Sequence, residues 1–325
     1  MRAQQIVELT GPANLELVDL DEPKPEHMLA PDGRVVTIDV EAAGVSFPEV
    51  LQSRGEYQFK PPLPFVPGAE VAGTVKDAPG DSGLKPGDKV AAMCMLGGFA
   101  ETAVAPAHLT FKLSDELDSA QGAGLILNYH TAYFCLVTRG RFQEGETVLV
   151  HGAAGGVGTA TLQVAKGLGA KTFAVVSSDE KERVAREAGA DEVFRSDAAW
   201  KDQVKEAGGA DIVIDPVGGD RFTDSLRSLA PLGRLLVIGF TAGEIPTVRV
   251  NRLLLNNIDV RGVGWGAYAM PREGYTRAEW DKLIPYLESG VVDPPVAGTY
   301  PLEKAGEAVA LLGERGVLGK AVVEP

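Results

Sequence analysis

From about residue 147 to residue 265 short apolar runs alternate with helix-period segments, and this alternation restricts the fold more than any other feature of the chain. TVLVHGA (147–153) and KTFAVVS (171–177) read as strands. Between them, Gly156 to Leu168 sets Val157, Thr161, Val164, Ala165 and Leu168 on one side of a helix. DEKERVAREAG follows as a charged helix, and EVFR, ADIVIDPVG, GRLLVIGF and IDVRGVGW continue the strands. Helical stretches near 198–207, DRFTDSLRSLA and NRLLLNN separate those strands. Apolar strands that each feed a helix form a parallel sheet covered on both faces. Right-handed crossovers then give an α/β fold with a doubly wound, Rossmann-like order.

The first third reads differently. Residues 1 to about 120 hold short segments broken by Pro and Gly (RVVTIDVEAAGV, PFVPGAEVAGTV, GDKVAAM, FAETAVA), the pattern of an irregular antiparallel β-domain. After residue 266 come two helical segments, TRAEWDKLIPYLESG and LEKAGEAVALLGER, and a last strand, GKAVVEP. That tail is too small for a third domain. The expected division is therefore 1–120 completed by 266–325, with 121–265 between them, and 325 residues suit two domains.

Charge and residue counts exclude several function classes. The formal net charge is −14 and the 31 Lys and Arg are scattered, which argues against nucleic-acid or anionic-membrane partners. No run reaches the roughly 18 to 20 apolar residues of a membrane span, and the N-terminus lacks a signal-peptide pattern, so a cytoplasmic protein is expected. Cys94 and Cys135 are too few for a zinc lobe and read as small buried hydrophobes. His27, His108, His130 and His151 lack ligand spacing, so no metal is expected.

His151-Gly152-Ala153-Ala154-Gly155-Gly156-Val157-Gly158 follows a predicted strand and opens a predicted helix. In a dinucleotide fingerprint the first glycine makes a tight turn, the second lets backbone approach a pyrophosphate, and the third lets helix and strand pack closely. Here Ala153 holds the first position, with Gly155 and Gly158 in the others. Amides around Gly155, Gly156 and Val157 are the expected pyrophosphate donors.

The end of the second strand decides between NAD and NADP. An acidic residue there accepts from ribose hydroxyls in NAD enzymes, whereas this strand ends Val176-Ser177-Ser178. Hydroxyls at Ser177 and Ser178 suit a 2′-phosphate, with Lys181 one turn into the helix as counter-ion, and NADP is favoured. Two other readings stay open: Lys181 and Arg183 as solvated helix charges, and Asp179 as a ribose-binding acid.

These residues resemble the medium-chain dehydrogenase/reductase superfamily, in particular its zinc-independent quinone oxidoreductase (zeta-crystallin-like) branch. The similarity runs end to end through AAGVSFPEVLQSRGEYQ (42–58), PFVPGAEVAGTV (64–75), LKPGDKVAA (84–92), GGFAETAVAP (97–106), the glycine loop, DPVGGDRFTDSLRSLAPLGRLLVIGF (215–240) and GKAVVEP. The resemblance implies a GroES-like catalytic domain, a Rossmann domain, and nicotinamide and substrate held between them. It implies homodimers or homotetramers joined through the Rossmann domain, by way of the edge strand IDVRGVGW. Zinc-dependent relatives carry Cys where this chain has Ser46, and G-H-E where it has Gly68-Ala69-Glu70, so zinc catalysis is not expected. Quinone reductases commonly carry Asn at the position of Ser46; serine is shorter and would reach a ligand less directly.

By the same resemblance Thr131 lies near the nicotinamide carboxamide. Ile238, Gly239, Phe240 and Thr241 line the nicotinamide side, Val263, Gly264 and Trp265 form a floor nearby, and Arg315 reaches the cofactor. Arg195, after the third strand, either contacts the adenine end or faces solvent. Ser46, Tyr57 and Trp265 are the expected substrate-pocket residues, and no base or general acid is evident. The expected activity is NADPH-dependent hydride transfer to a small quinone or enone. An enoyl-thioester or alkenal reductase, or a non-catalytic NADPH-binding crystallin-like protein, are the alternatives.

Overall fold

A computed structural model describes residues 1–24, 33–314 and 316–325 of the chain. Two units result, Met1–Leu127 with Pro294–Pro325, and Asn128–Asp293. The first contributes β1 (Arg2–Ile6), β2 (Leu15–Asp19), β3 (Val35–Val45), β4 (Glu70–Asp77), β5 (Lys89–Met93), β6 (Thr102–Pro106) and β7 (Thr110–Lys112). The second contributes β8 (Thr147–His151), β9 (Lys171–Val176), β10 (Glu192–Arg195), β11 (Ala210–Asp215), β12 (Leu229–Val237) and β13 (Asp259–Gly262), and the chain then returns with β14 (Val296–Pro301) and β15 (Lys320–Glu324).

In the second unit the sheet order is β10-β9-β8-β11-β12-β13, with every pairing parallel. The chain enters at β8, winds outward to β10, then crosses back to β11 beside β8. Order therefore reverses between β8 and β11, the place where open parallel sheets present ligand sites at their carboxyl ends. Apolar residues at almost every position keep these strands inside: Val148, Leu149, Val150 and His151 are buried, as are Ile212 to Asp215. On one face Leu149, Phe173, Val213 and Leu235 pack with Trp200, Val204, Phe222 and Leu226 from the helices Trp200–Glu206 and Phe222–Ser228.

In the first unit β14-β15-β3-β4-β5-β7 form one sheet, with β6 also on β3. β14 and β15 are parallel, and the other pairings are antiparallel. The eleven residues of β3 reach β4, β6 and β15. Its core joins Val36, Ile38, Val71, Val90, Phe99 and Val323. The doubly wound sheet and the GroES-like β-domain expected from sequence are both present.

Two boundaries differ. Residues 121–127, expected with the second unit, fall in the first, and residues 266–293, expected with the first, fall in the second. The helix Tyr275–Glu288 is tied there by Glu279, whose Oε2 accepts from Trp265 Nε1 at 2.8 Å, and by Tyr286, which lies beside Gly167. A helical period shows which face is apolar but not which sheet it covers. Among the described residues no helix is long and apolar enough to cross a membrane.

Candidate active site

At the switch point of the parallel sheet, β8 ends in the glycine turn, and the helix Gly156–Gly167 starts from it. Gly152 takes φ +59°, the left-handed conformation that glycine adopts at no steric cost, so the tight turn falls one residue before Ala153. A Cβ on Gly158 would stand 2.2 Å from Gly152 O and 2.7 Å from Ala153 Cα, so only glycine lets the helix approach the strand. Gly155 is the N-cap and lacks a capping side chain. Its own N–H donates to Gly152 O at 2.9 Å, which leaves the donors of the helix start at Gly156 and Val157. Asn128, buried, closes in on Gly156, where a Cβ would meet its Nδ2 at 2.6 Å.

The neighbouring tips complete this edge. Asp215 ends β11 buried at 1 % exposure, and its Oδ1 accepts from Val217 and Gly218 N–H at 2.9 Å each. Among the described residues its Oδ2 is buried with no hydrogen-bond partner, and desolvation pushes the carboxyl above its ordinary range. Ile238 N donates to Asp215 O and Thr241 N to Pro216 O, which sets residues 238–241, including Gly239 and the exposed Phe240, against that tip. Val263 N donates to Val237 O, which puts Val263 and Gly264 just past β13 on the same edge. Thr131 is buried on the helix Ile126–Tyr133. Trp265 turns inward: its indole N–H is held by Glu279 and its ring lies 5.3 Å from that of His130. Arg315 and His27 lie outside the described residues.

Beyond β9, the second strand, four expected residues converge. Ser178 caps the helix Asp179–Glu187 by accepting from Lys181 N at 3.3 Å, and Lys181 Nζ donates to Ser177 Oγ at 3.3 Å. Arg195, opposite Val176 in register, donates from Nη2 to Ser177 O at 3.1 Å. Asp179, 96 % exposed, pairs with the Arg195 guanidinium instead of standing alone as an acid at the strand end. Lys181 and Arg195 thus both bond Ser177, at its hydroxyl and its carbonyl; Arg195 also lies 3.7 Å from Asp197, and Arg183 pairs along its helix with Glu187.

In the first unit Ser46 precedes the helix Phe47–Ser53 and donates its backbone N–H to Glu49 Oε2 at 2.8 Å. Glu49 Oε1 accepts from Ala69 N at 3.0 Å. Ser46 Oγ meets Glu70 Oε1 at 3.2 Å and Lys320 Nζ at 2.6 Å, and Lys320 Nζ bonds Glu70 Oε1 at 2.5 Å. Burial pushes the Glu49 carboxyl up to about 7, against the pull of Lys320. Cys94, buried nearby, points its thiol to Gly68 O at 3.3 Å. Tyr57 is half-buried, and its phenol is pushed up by burial and by Glu49. It lines a hollow with Leu9, Phe59 and Phe65 of about 20 Å³, room for little more than one water. The sequence reading missed Asn128, Asp215, Glu49 and Lys320. Only Glu49 carried a local signal, the S-x-x-E spacing of a capping box.

Comparison with known proteins agrees with this architecture. The model for the alcohol dehydrogenase GroES-like domain matches residues 32–115, and that for a zinc-binding dehydrogenase matches residues 156–289. Quinone oxidoreductase-like protein 2 of Rattus norvegicus is 37 % identical over 294 residues, covering 89 % of this chain and 84 % of the relative. Quinone oxidoreductase of Homo sapiens is 33 % identical, covering 99 % and 97 %. The solved quinone oxidoreductase of Thermus thermophilus, which was also determined in complex with NADPH, superposes with a TM-score of 0.84 at 33 % identity and covers all of both chains. With these matches spanning both units, the chain belongs to the quinone oxidoreductase family of the medium-chain dehydrogenases/reductases.

Proposed function

We propose that this oxidoreductase uses NADPH to reduce a quinone or a similar conjugated carbonyl, without a metal. The glycine turn at the switch point carries the reading. A helix start with no capping side chain, and with glycine at 155 and 156, offers amides at Gly156 and Val157 to a diphosphate. Asp215 Oδ2, buried and unpartnered among the described residues, is an acceptor that a nucleotide hydroxyl or amide at the same edge would satisfy. Ser177, Ser178, Lys181 and Arg195 form the counter-charge for a 2′-phosphate, and the relative from Thermus thermophilus carries NADPH in its complex. Residues 238–241, with Thr131, Val263, Gly264 and Trp265, are the proposed nicotinamide surroundings, and Gly155 shapes the turn.

Bound NADPH supplies a hydride. The chain's own part is to hold the acceptor, exclude water and stabilise the charge that develops on its oxygen. Ser46 and Tyr57 are the proposed acceptor-side residues. An ammonium, that of Lys320, already neutralises Glu70 beside Ser46 and supports a metal-free site. Small-molecule acceptors and a homodimer or homotetramer complete the proposal.

Nucleotide consumption with NADPH and with NADH, across quinones, alkenals and enoyl thioesters, tests it. Rapid NADPH oxidation by quinones, undiminished after chelation, is the expected result. Turnover confined to enoyl thioesters, or NADPH bound but oxidised by nothing, overturns it.

A further inference from the structure

Three polar side chains of the first unit, Ser46, Glu70 and Lys320, form a buried hydrogen-bonded cluster, and Glu49 joins it through the Ser46 backbone N–H. Exposures are 1 % for Glu49, 0 % for Glu70 and 3 % for Lys320, against 6 % for Ser46. By residue, Ser46 is the most exposed of the four. Burying one ammonium and two carboxylates is costly unless each is paired, and stability alone is a weak reason to keep such a cluster. The fold makes specific room for it. A Cβ on Gly44 would stand 2.7 Å from Lys320 Cε and 2.2 Å from Ala123 O, so this glycine clears the path of the lysine stem. Glu70 is fixed on its other oxygen by Leu127 N–H at 2.9 Å. Glu49 is fixed at both oxygens by backbone N–H groups, so its orientation is set without help from Lys320.

We propose that Ser46 is the catalytic proton donor of the reduction and that Lys320, held by Glu70, is the positioning residue that recharges it. This rests on the reading of Ser46 as an acceptor-side residue. Ser46 Oγ accepts from Lys320 Nζ at 2.6 Å, and its own proton, engaged only by the longer 3.2 Å contact to Glu70, can turn outward. As negative charge grows on the acceptor oxygen, the Ser46 O–H bond breaks and an O–H bond forms on the acceptor. One N–H proton of Lys320 passes to Ser46 Oγ and leaves a neutral amine against Glu70; once the product leaves, a solvent proton delivered to Ser46 Oγ lets the serine return one to the amine. The electron pair and the other hydrogen of the product arrive as the hydride, so the reduction takes up one proton from solvent per turnover.

The test compares Ser46→Ala, Ser46→Thr and Lys320→Ala with the wild type, each first checked for NADPH binding by nicotinamide fluorescence. Ser46→Ala is expected to lose about 10²-fold or more in kcat with a quinone, while NADPH affinity stays within about twofold; Ser46→Thr keeps most of the activity. Lys320→Ala is expected to regain kcat in added ethylamine, which the wild type ignores. Should Lys320→Ala fail to fold, 4-nitrophenol bound with NADP⁺ gives a readout apart from turnover. The wild type is expected to hold it more ionised than free nitrophenol at the same pH, and Ser46→Ala is expected to lose that difference. Retained kcat in Ser46→Ala, or identical nitrophenol ionisation in both proteins, overturns the proposal. A wild type that binds NADPH yet reduces no quinone or enone instead overturns the functional reading beneath it, and the proposal with it.

Discussion

Burial sets the behaviour of single residues here, and it acts in opposite directions on two of them. His151 is fully buried at the end of β8, with Nε2 2.8 Å from Ser225 Oγ and its ring edge-on to Trp200. Desolvation lowers its pKa from 6.5 to about 3. The folded state therefore resists the proton that the unfolded chain accepts, so stability present above pH 6.5 is lost as pH falls from 6.5 toward 3. His151→Gln is expected to remove that acid-side loss, read as the pH dependence of urea unfolding. Glu49 has its pKa raised to about 7 from 4.5. There the folded state binds the extra proton, so its contribution is full below pH 4.5 and is lost as pH rises to about 7. Glu49→Gln is expected to flatten that slope in the same unfolding series. At Gly158 the constraint is steric. Gly158→Ala sets a methyl 2.2 Å from a backbone oxygen, and a loss on the order of 1–3 kcal/mol is expected, with NADPH binding abolished.

At the scale of elements, the strands of the parallel sheet were legible because continuous burial demands continuous apolar sequence, as in TVLVH and KTFAVV. The glycine loop was legible because backbone geometry restricts residue type. The convergence of Ser177, Ser178, Lys181 and Arg195 followed from adjacent strand ends, which strand order makes neighbours. Lys181→Glu is accordingly expected to weaken NADPH by an order of magnitude or more relative to NADH in parallel titrations; equal losses would remove the 2′-phosphate assignment. The Lys320–Glu70 pair was not legible, since 250 residues separate partners that only the pairing of β15 with β3 brings together. The helix Tyr275–Glu288 was misassigned for a related reason: amphipathic spacing names a buried face without naming what buries it. Phe222, 4 % exposed against β11 and its neighbours, ties its helix to the sheet. Phe222→Ala is expected to cost about 3–5 kcal/mol, measured by urea unfolding.

For the whole molecule, a net charge of −14 sits beside three exposed apolar side chains at one short helix. Val250, Leu254 and Leu255 are 73 %, 77 % and 73 % exposed on and next to the helix Asn251–Asn256, which leads into the edge strand β13. If the proposed homo-oligomer forms there, Leu254→Arg combined with Leu255→Arg is expected to shift the protein to monomers in sedimentation velocity. Dinucleotide recognition by the turn at Gly152–Gly158 underlies every proposed step, and calorimetric titration of the wild-type protein with NADPH and NADH tests it most directly. One nucleotide bound per chain, with NADPH clearly the tighter, is the predicted result; no heat with either nucleotide would contradict it.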